Sequence, residues 1–224
     1  MFVVDGSTKS DPTGWSSLLS FVSTAVREYQ ISRGVRVAFV QYSDRATTSI
    51  RLGQYNDVNS LVAAIGRIGQ QQGTSNLATG LDQARSLLSG SGSRSRVVVV
   101  VTDQFQTTST ITTAAINVRN SGILLVGVGV SGASGLTLTS TAFYSLVWNR
   151  VIVATGYNGL GGVVSKAVLF ACPGLQPWGK HSNLYTVLTL DIPNLYVSLY
   201  SVNISSGTYY RCIDVNSVHA IMIL

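Results

Sequence analysis

The sequence predicts an α/β fold: an open, mostly parallel sheet with helices on both faces, followed by a short strand-rich appendage. Three observations lead there. Runs such as "VVVVV", Val97 to Val101, are apolar without alternation and have strand length, as strands buried on both faces must. Between such runs lie segments whose apolar residues recur every three or four positions, the pattern of helices with one buried face. The two kinds alternate through residues 1 to about 171, the order a doubly covered sheet requires.

Taken in order, "MFVVD" is a buried strand that ends on a polar tip. Asp11 and Pro12 signal a helix start, and Trp15, Leu18, Leu19, Phe21, Val22, Ala25 and Val26 then share one face. "RVAFVQYS" and "TTSIRL" are two strands separated by the turn "SDRA", which predicts a hairpin and one antiparallel edge. "NSLVAAIGRIG" is a short helix with Leu61, Val62, Ile65 and Ile68 on one face; the loop "QQQGTSN" leads to the helix "LATGLDQARSLLS". "RVVVVVTDQ" is the most apolar strand, and the helix "ITTAAINVRNSG" closes on Gly122. "ILLVGVGV" is another buried strand, and "FYSLVWN", "RVIVATG" and "LGGVVSKAVLFA" read as helix, strand and helix. From Cys172 the character changes: Pro173, Pro177 and Gly179 mark a boundary, and residues 172–224 are β-prone, an extension or incomplete second module too short for a comfortable core of its own.

Composition narrows the function classes. The chain is 46% hydrophobic and 11% charged, against about 25% charged for an ordinary soluble domain. Its polarity rests on Ser, Thr, Asn, Gln and Gly, as is common in secreted and matrix proteins. No uninterrupted apolar stretch is long enough for a membrane span. The formal charge is +6, yet the 15 basic residues are scattered and not interleaved with stacking aromatics, which argues against nucleic acid and for solubility with weak attraction to acidic glycans or membranes. Cys172 and Cys212 are either a disulfide or two buried thiols; with His181 and His219 they match no zinc spacing. Asn203-Ile204-Ser205 is an acceptor sequon for glycans. No signal peptide is visible before the first strand, and the expectation is either an intracellular protein or an excised or truncated piece.

Open α/β sheets carry ligands at the carboxyl ends of their strands. Asp5 and Asp103 end the two strands expected to be central, so they should stand side by side at that rim. Three loops then converge: Asp5-Gly6-Ser7-Thr8-Lys9, Gly73-Thr74-Ser75-Asn76 and Thr102-Asp103-Gln104. Two carboxylates and several hydroxyls, without histidine or cysteine, form a ligand set for Mg²⁺, Mn²⁺ or Ca²⁺ rather than zinc. Each residue also has a plain reading: Asp5 as a turn or cap, Ser7 and Ser75 as ordinary loop serines. Asp103, at the end of an apolar strand, is the least ordinary, because a carboxylate there needs a partner.

"FVVDGSTKS", "VRVAFVQYSD", "AIGRIGQQQGTSNLATGLDQA" and "RVVVVVTDQ" together resemble the von Willebrand factor type A domain, the family of integrin inserted domains, matrilins and type VI collagen modules. The resemblance covers residues 1–171 and implies a Rossmann-like open sheet with a metal-ion-dependent adhesion site at its rim. The family writes that site Asp-x-Ser-x-Ser, then a Thr, then an Asp. Asp5 and Ser7 match the first two members, Ser75 stands for the threonine with Thr74 as the one-residue alternative, and Asp103 matches the last. Two positions depart: Lys9 replaces the second serine, and Gln104 replaces the glycine that usually follows the aspartate. An ammonium about 4 Å from another unit charge interacts by about 4 kcal/mol at an effective dielectric of 20, and by twice that with a divalent ion. Lys9 therefore either swings outward to water or serves as an internal counter-ion to Asp5 and Asp103. The implied Mg²⁺ or Mn²⁺ is then held weakly or not at all.

Catalytic signatures are missing. The sequence has no Walker loop or G-x-S-x-G elbow; the glycine-rich "GVGVSGASG" at 127–135 follows a late strand and reads as a strand-to-loop transition rather than a dinucleotide fingerprint, and both histidines lie in the appendage. The expectation is a non-catalytic extracellular adhesion or matrix-binding domain with a degenerate metal site. It would bind a protein partner, collagen or another matrix component, through Asp5, Ser7, Lys9, Thr74, Ser75, Asp103 and Gln104. Two alternatives stay open: a structural, self-associating matrix component with a silent rim, and an intracellular scaffold of the same fold.

Overall fold

The computed structural model describes residues 1–7, 12–29, 31, 34–90, 94–103, 108–131, 150–171, 184–191 and 196–203. Strand β1 (Phe2–Asp5) leads to helix α1 (Pro12–Arg27), and β2 (Phe39–Tyr42) and β3 (Ala46–Ile50) follow. Next come α2 (Val58–Ile65), α3 (Leu77–Ser89), β4 (Arg96–Thr102), α4 (Ser109–Asn120), β5 (Ile123–Ser131) and β6 (Val151–Thr155). A 3₁₀ segment (Tyr157–Val163) runs into α5 (Val164–Phe170), and β7 (Leu184–Asp191) and β8 (Tyr196–Asn203) pair as an antiparallel two-stranded sheet.

Six strands form one sheet in the order β3-β2-β1-β4-β5-β6. Only the β2–β3 pair is antiparallel, as the hairpin reading expects; the other pairs are parallel. The reason for the unbroken apolar runs is visible in which face each residue takes. Phe2 and Val4 of β1, with Val99 and Val101 of β4, join α1, α2 and α5 in one core layer. Val3, Val98 and Val100 point the other way, into a layer built with α3 and α4. A strand covered on both faces has no position left for a polar residue.

The helices end for local reasons. Asp57 caps α2, its Oδ1 accepting from the backbone N–H groups of Asn59 (2.9 Å) and Ser60 (3.0 Å), and Thr108 caps α4 by accepting from Ile111 N at 3.2 Å. α4 stops where the sequence predicts, with Gly122 at φ 71° just beyond Ser121. One element differs from expectation. The stretch 160–171 is not a single α-helix: it starts as 3₁₀ and becomes α-helical only at Val164. Gly159, Gly161 and Gly162 weaken α-helix formation there, and the apolar face is dense only afterwards, at Val164, Ala167 and Val168. The helix expected at "FYSLVWN", both cysteines and both histidines lie outside the described residues, as does most of the extension 172–224.

Candidate functional site

The register of the central strands delivers the site. Val4 pairs with Val101, so Asp5 at the end of β1 comes level with Thr102, one residue before Asp103. Both aspartates thus reach the same rim from adjacent parallel strands. Asp5 is buried, and a buried carboxylate requires partners. Its Oδ1 accepts from the Ser7 backbone N–H at 3.0 Å, and its Oδ2 accepts from the Ser75 hydroxyl at 2.7 Å. The second bond joins residues 70 apart in sequence and closes the second loop onto the first.

That loop is fixed by bonds to backbone carbonyls. Gln72 N donates to Gly6 O at 2.8 Å, Gln70 Nε2 donates to Ser7 O at 2.6 Å, and Gly6 N donates to Tyr42 O at 2.8 Å. Gln41 acts as a strut: its Oε1 accepts from Gln71 N at 2.9 Å while its Nε2 donates to Gly69 O at 3.1 Å. Thr74 has another place. Its backbone N–H goes to Asp44 Oδ1 at 2.9 Å, and Ser75 is the residue whose hydroxyl meets Asp5.

Asp103 takes a partner that the sequence does not advertise. Tyr157, on the 3₁₀ segment, donates its hydroxyl to Asp103 Oδ2 at 3.0 Å. The ring can lie there because residue 14 of α1 is glycine: a β-carbon at Gly14 would come within 2.9 Å of the Tyr157 ring. A second tyrosine stands beneath the rim. Tyr42 is fully buried, and its ring fills the space left by Gly80 of α3, where a β-carbon would sit 2.9 Å from Tyr42 Cδ1. Burial, then the charge of Asp5 with that of Asp103, holds the Tyr42 phenol well above its ordinary pKa, so it stays neutral beside the carboxylates.

Among the predicted site residues, Asp5, Ser7, Ser75 and Asp103 therefore occupy one rim, and Thr74 is adjacent. Lys9 and Gln104 lie outside the described residues. The sequence reading missed Tyr42, Tyr157, Gln41 and Gln70. Tyr42 left one sign, a hydroxyl-bearing aromatic at the end of a strand next to that of Asp5. Tyr157 left none, since 54 residues separate it from Asp103.

The arrangement suits a hard cation. Ser75 gives its proton to Asp5, which leaves the hydroxyl lone pairs available, and Ser7 adds a second, buried hydroxyl at the same rim. Hydroxyl oxygens and carboxylates without nitrogen or sulfur are the chemistry of Mg²⁺ and Mn²⁺ sites. Among the described residues no group of three or more His, Cys, Asp or Glu gathers, so any cation here would depend on the hydroxyls.

The profile of the von Willebrand factor type A domain matches residues 1–144. The chain belongs to this family. The type A domain is 28% identical over 144 residues to the mouse (Mus musculus) collagen alpha-4(VI) chain, a match that covers 63% of this chain and 6% of the collagen. It is 24% identical over 136 residues to mouse vitrin, covering 59% of this chain and 21% of vitrin. The chain thus spans a small part of the length of these curated relatives. Proximal thread matrix protein 1 from the mussel byssus, with a zinc-occupied MIDAS motif, superposes with a TM-score of 0.68 at 17% identity, over 76% of this chain and 47% of that one. The six-stranded sheet is accordingly the Rossmann-like sheet of a type A domain, and its homologues include extracellular-matrix proteins. No described helix is long and apolar enough to cross a membrane.

Proposed function

We propose that this type A domain is a non-catalytic extracellular adhesion module. It binds a protein of the matrix, collagen among the candidates, through the rim of Asp5, Ser7, Lys9, Thr74, Ser75, Asp103 and Gln104. The observation that carries the reading is the 2.7 Å bond from the Ser75 hydroxyl to Asp5, which assembles a preformed acidic, hydroxyl-lined rim from distant loops. Matrix proteins among the relatives support the extracellular setting and the protein partner. The mussel protein with zinc in its site supports a divalent ion.

Asp5 orients two donors, Ser7 N and Ser75 Oγ, while Asp103 stays anchored through Tyr157. Ser7, Ser75 and the two aspartates would hold Mg²⁺ or Mn²⁺, which when bound supplies an open position for an acidic group of the partner. Lys9 in place of a hydroxyl removes one ligand and adds a competing charge, so the ion is held weakly and partner binding persists in chelator. No histidine joins the described rim, and burial keeps the Tyr42 phenol beneath it neutral, which leaves the aspartates as the candidates for a general base among the described residues.

Calorimetric titration with Mn²⁺ tests the metal half: millimolar or weaker binding by the chain, and at least tenfold tighter binding by Lys9→Ser. Tight binding by the unsubstituted chain would overturn the weakened site. For the partner half, Asp5→Asn combined with Asp103→Asn should abolish binding to an immobilised collagen surface while circular dichroism stays unchanged. Retained binding would place the contact elsewhere.

A further inference from the structure

The end of the sheet opposite the rim is a second surface with its own chemistry. Phe39, Phe2 and Val99 stand in one row across β2, β1 and β4. Arg36 and Arg96 each lie three residues before that row, so they flank the start of β1, about 10 Å apart across two strand spacings. Arg94 bridges the gap beneath β1, its Nη1 donating to Gly34 O at 2.9 Å. Arg51 follows Ile50, which pairs with Phe39, and the loop after it packs on the Arg36 stem, with Gly53 N bonded to Val37 O at 3.3 Å. On the other side Arg96 Nη2 donates to Ser121 O at 2.7 Å, two residues past Arg119 in the last turn of α4. Arg27 ends α1 at the same pole. Six guanidinium groups thus form a band, four of them largely exposed.

Part of this has a local cause. Arg27 and Arg119 sit in last helical turns, where a cation complements the helix dipole. That leaves Arg36, Arg51, Arg94 and Arg96, which end no helix. The acids of this pole among the described residues are Glu28 and Asp57, and the Asp57 carboxylate is committed to capping α2.

We propose that this arginine band is a docking surface for a sulfated polysaccharide chain. Planar guanidinium groups spaced along a ridge match the repeated bidentate acceptors of sulfate esters. Nucleic acid would want aromatic platforms between the charges. Tyr29, two residues after Arg27, is instead turned inward onto Phe2, with ring centroids 6.5 Å apart, and Tyr55, in the loop after Arg51, packs half-buried against the same core. An anionic membrane would want apolar side chains to insert, and the large exposed hydrophobics among the described residues, Ile116 and Val153, lie in the middle of α4 and β6. The polysaccharide rests on the extracellular reading but not on the metal site.

The test is binding of the whole chain to a heparin-derived octasaccharide across a salt series, in EDTA, by calorimetry. Arg36→Ser with Arg51→Ser should weaken binding about tenfold and flatten its salt dependence, whereas Arg45→Ser with Arg67→Ser, equal in charge but outside the band, should change it less than twofold. Equal losses in the two pairs would reduce the band to net charge and overturn the proposal. So would retained binding to the desulfated octasaccharide, or tighter binding to a thymidine oligonucleotide or to vesicles of phosphatidylserine and phosphatidylcholine. Failure of the rim reading shows separately, as an Asp5→Asn, Asp103→Asn protein that still binds the collagen surface.

Discussion

The two ends of the sheet are made from the same strands and differ in almost every other respect. At the carboxyl ends of β1 and β4 the chain gathers carboxylates and hydroxyls, buries Asp5 and Ser7, half-buries Ser75 and Asp103, and bonds Asp5 with Ser7 and Ser75 and Asp103 with Tyr157. At the amino ends it gathers arginines, leaves them near solvent, and steadies them on backbone carbonyls of Gly34 and Ser121. On the two proposals, one mostly parallel sheet would carry two kinds of recognition. Buried groups in low dielectric are expensive to misplace and so give geometric selectivity; exposed charges are screened and give long-range, salt-dependent attraction.

The sharpest way to break the comparison is at Asp5. Asp5→Ala strips the acceptor from the buried Ser7 N and from the half-buried Ser75 hydroxyl. Loss of buried charge-assisted bonds should cost about 2–4 kcal/mol of stability, read by urea unfolding, and abolish binding at the rim. Octasaccharide binding by the folded fraction should not change. A variant that lost both activities together would show the two ends to be one site.

Next in size is Gly14→Ala. The new methyl meets the Tyr157 ring and must push it or α1 aside, at a cost of about 1–3 kcal/mol. The rim loses the Asp103 anchor at the same time, so weaker Mn²⁺ binding should accompany the lower unfolding midpoint. Tyr157→Phe separates the two effects. It keeps the ring and removes only the donor, so stability should fall by about 1 kcal/mol, while Mn²⁺ affinity measured in the Lys9→Ser background should drop about tenfold. An unchanged affinity would show that Tyr157 holds the fold and not the site.

These residues also show how far the sequence could be read. The sheet, its antiparallel edge and the alternation of layers were legible because burial on both faces leaves an unmistakable apolar run at β1, β4 and β5. The adjacency of Asp5 and Asp103 was legible too, because the two most apolar strands of such a sheet are its central pair, and β1 and β4 meet where the strand order reverses. What stayed hidden lies in contacts without periodicity. Tyr157 reaches Asp103 only because Gly14 is small, and neither residue is unusual where it stands. The arginine band was hidden for a different reason: its members are dispersed over residues 27 to 119, and only strand register brings them to one pole. A search for clustered charge along the chain reads that pole as scatter. The 3₁₀ start of the last helical stretch was missed because an apolar period of three and one of three and a half look alike over a single turn.

The smallest effect at neutral pH, and the most specific, belongs to Tyr42. Its phenol is pushed well above the ordinary value, first by burial and then by the neighbouring charge of Asp5. A raised folded-state pKa means that the native state keeps a proton which the unfolded chain gives up near pH 10. The contribution is fully present below that pH and is lost as pH rises from there toward the folded value, because the unfolded state then binds fewer protons. Tyr42→Phe should therefore alter stability by only about 1 kcal/mol at pH 7 but flatten the alkaline decline above pH 10 by up to about 1.4 kcal/mol per pH unit. Tyr29, whose phenol is also raised by burial, contributes the same decline in both proteins and cancels in the difference. Urea unfolding between pH 8 and 11 measures it: parallel curves for the two proteins would mean that the Tyr42 hydroxyl ionises as freely in the fold as outside it, and that the rim above it is open to water rather than sealed.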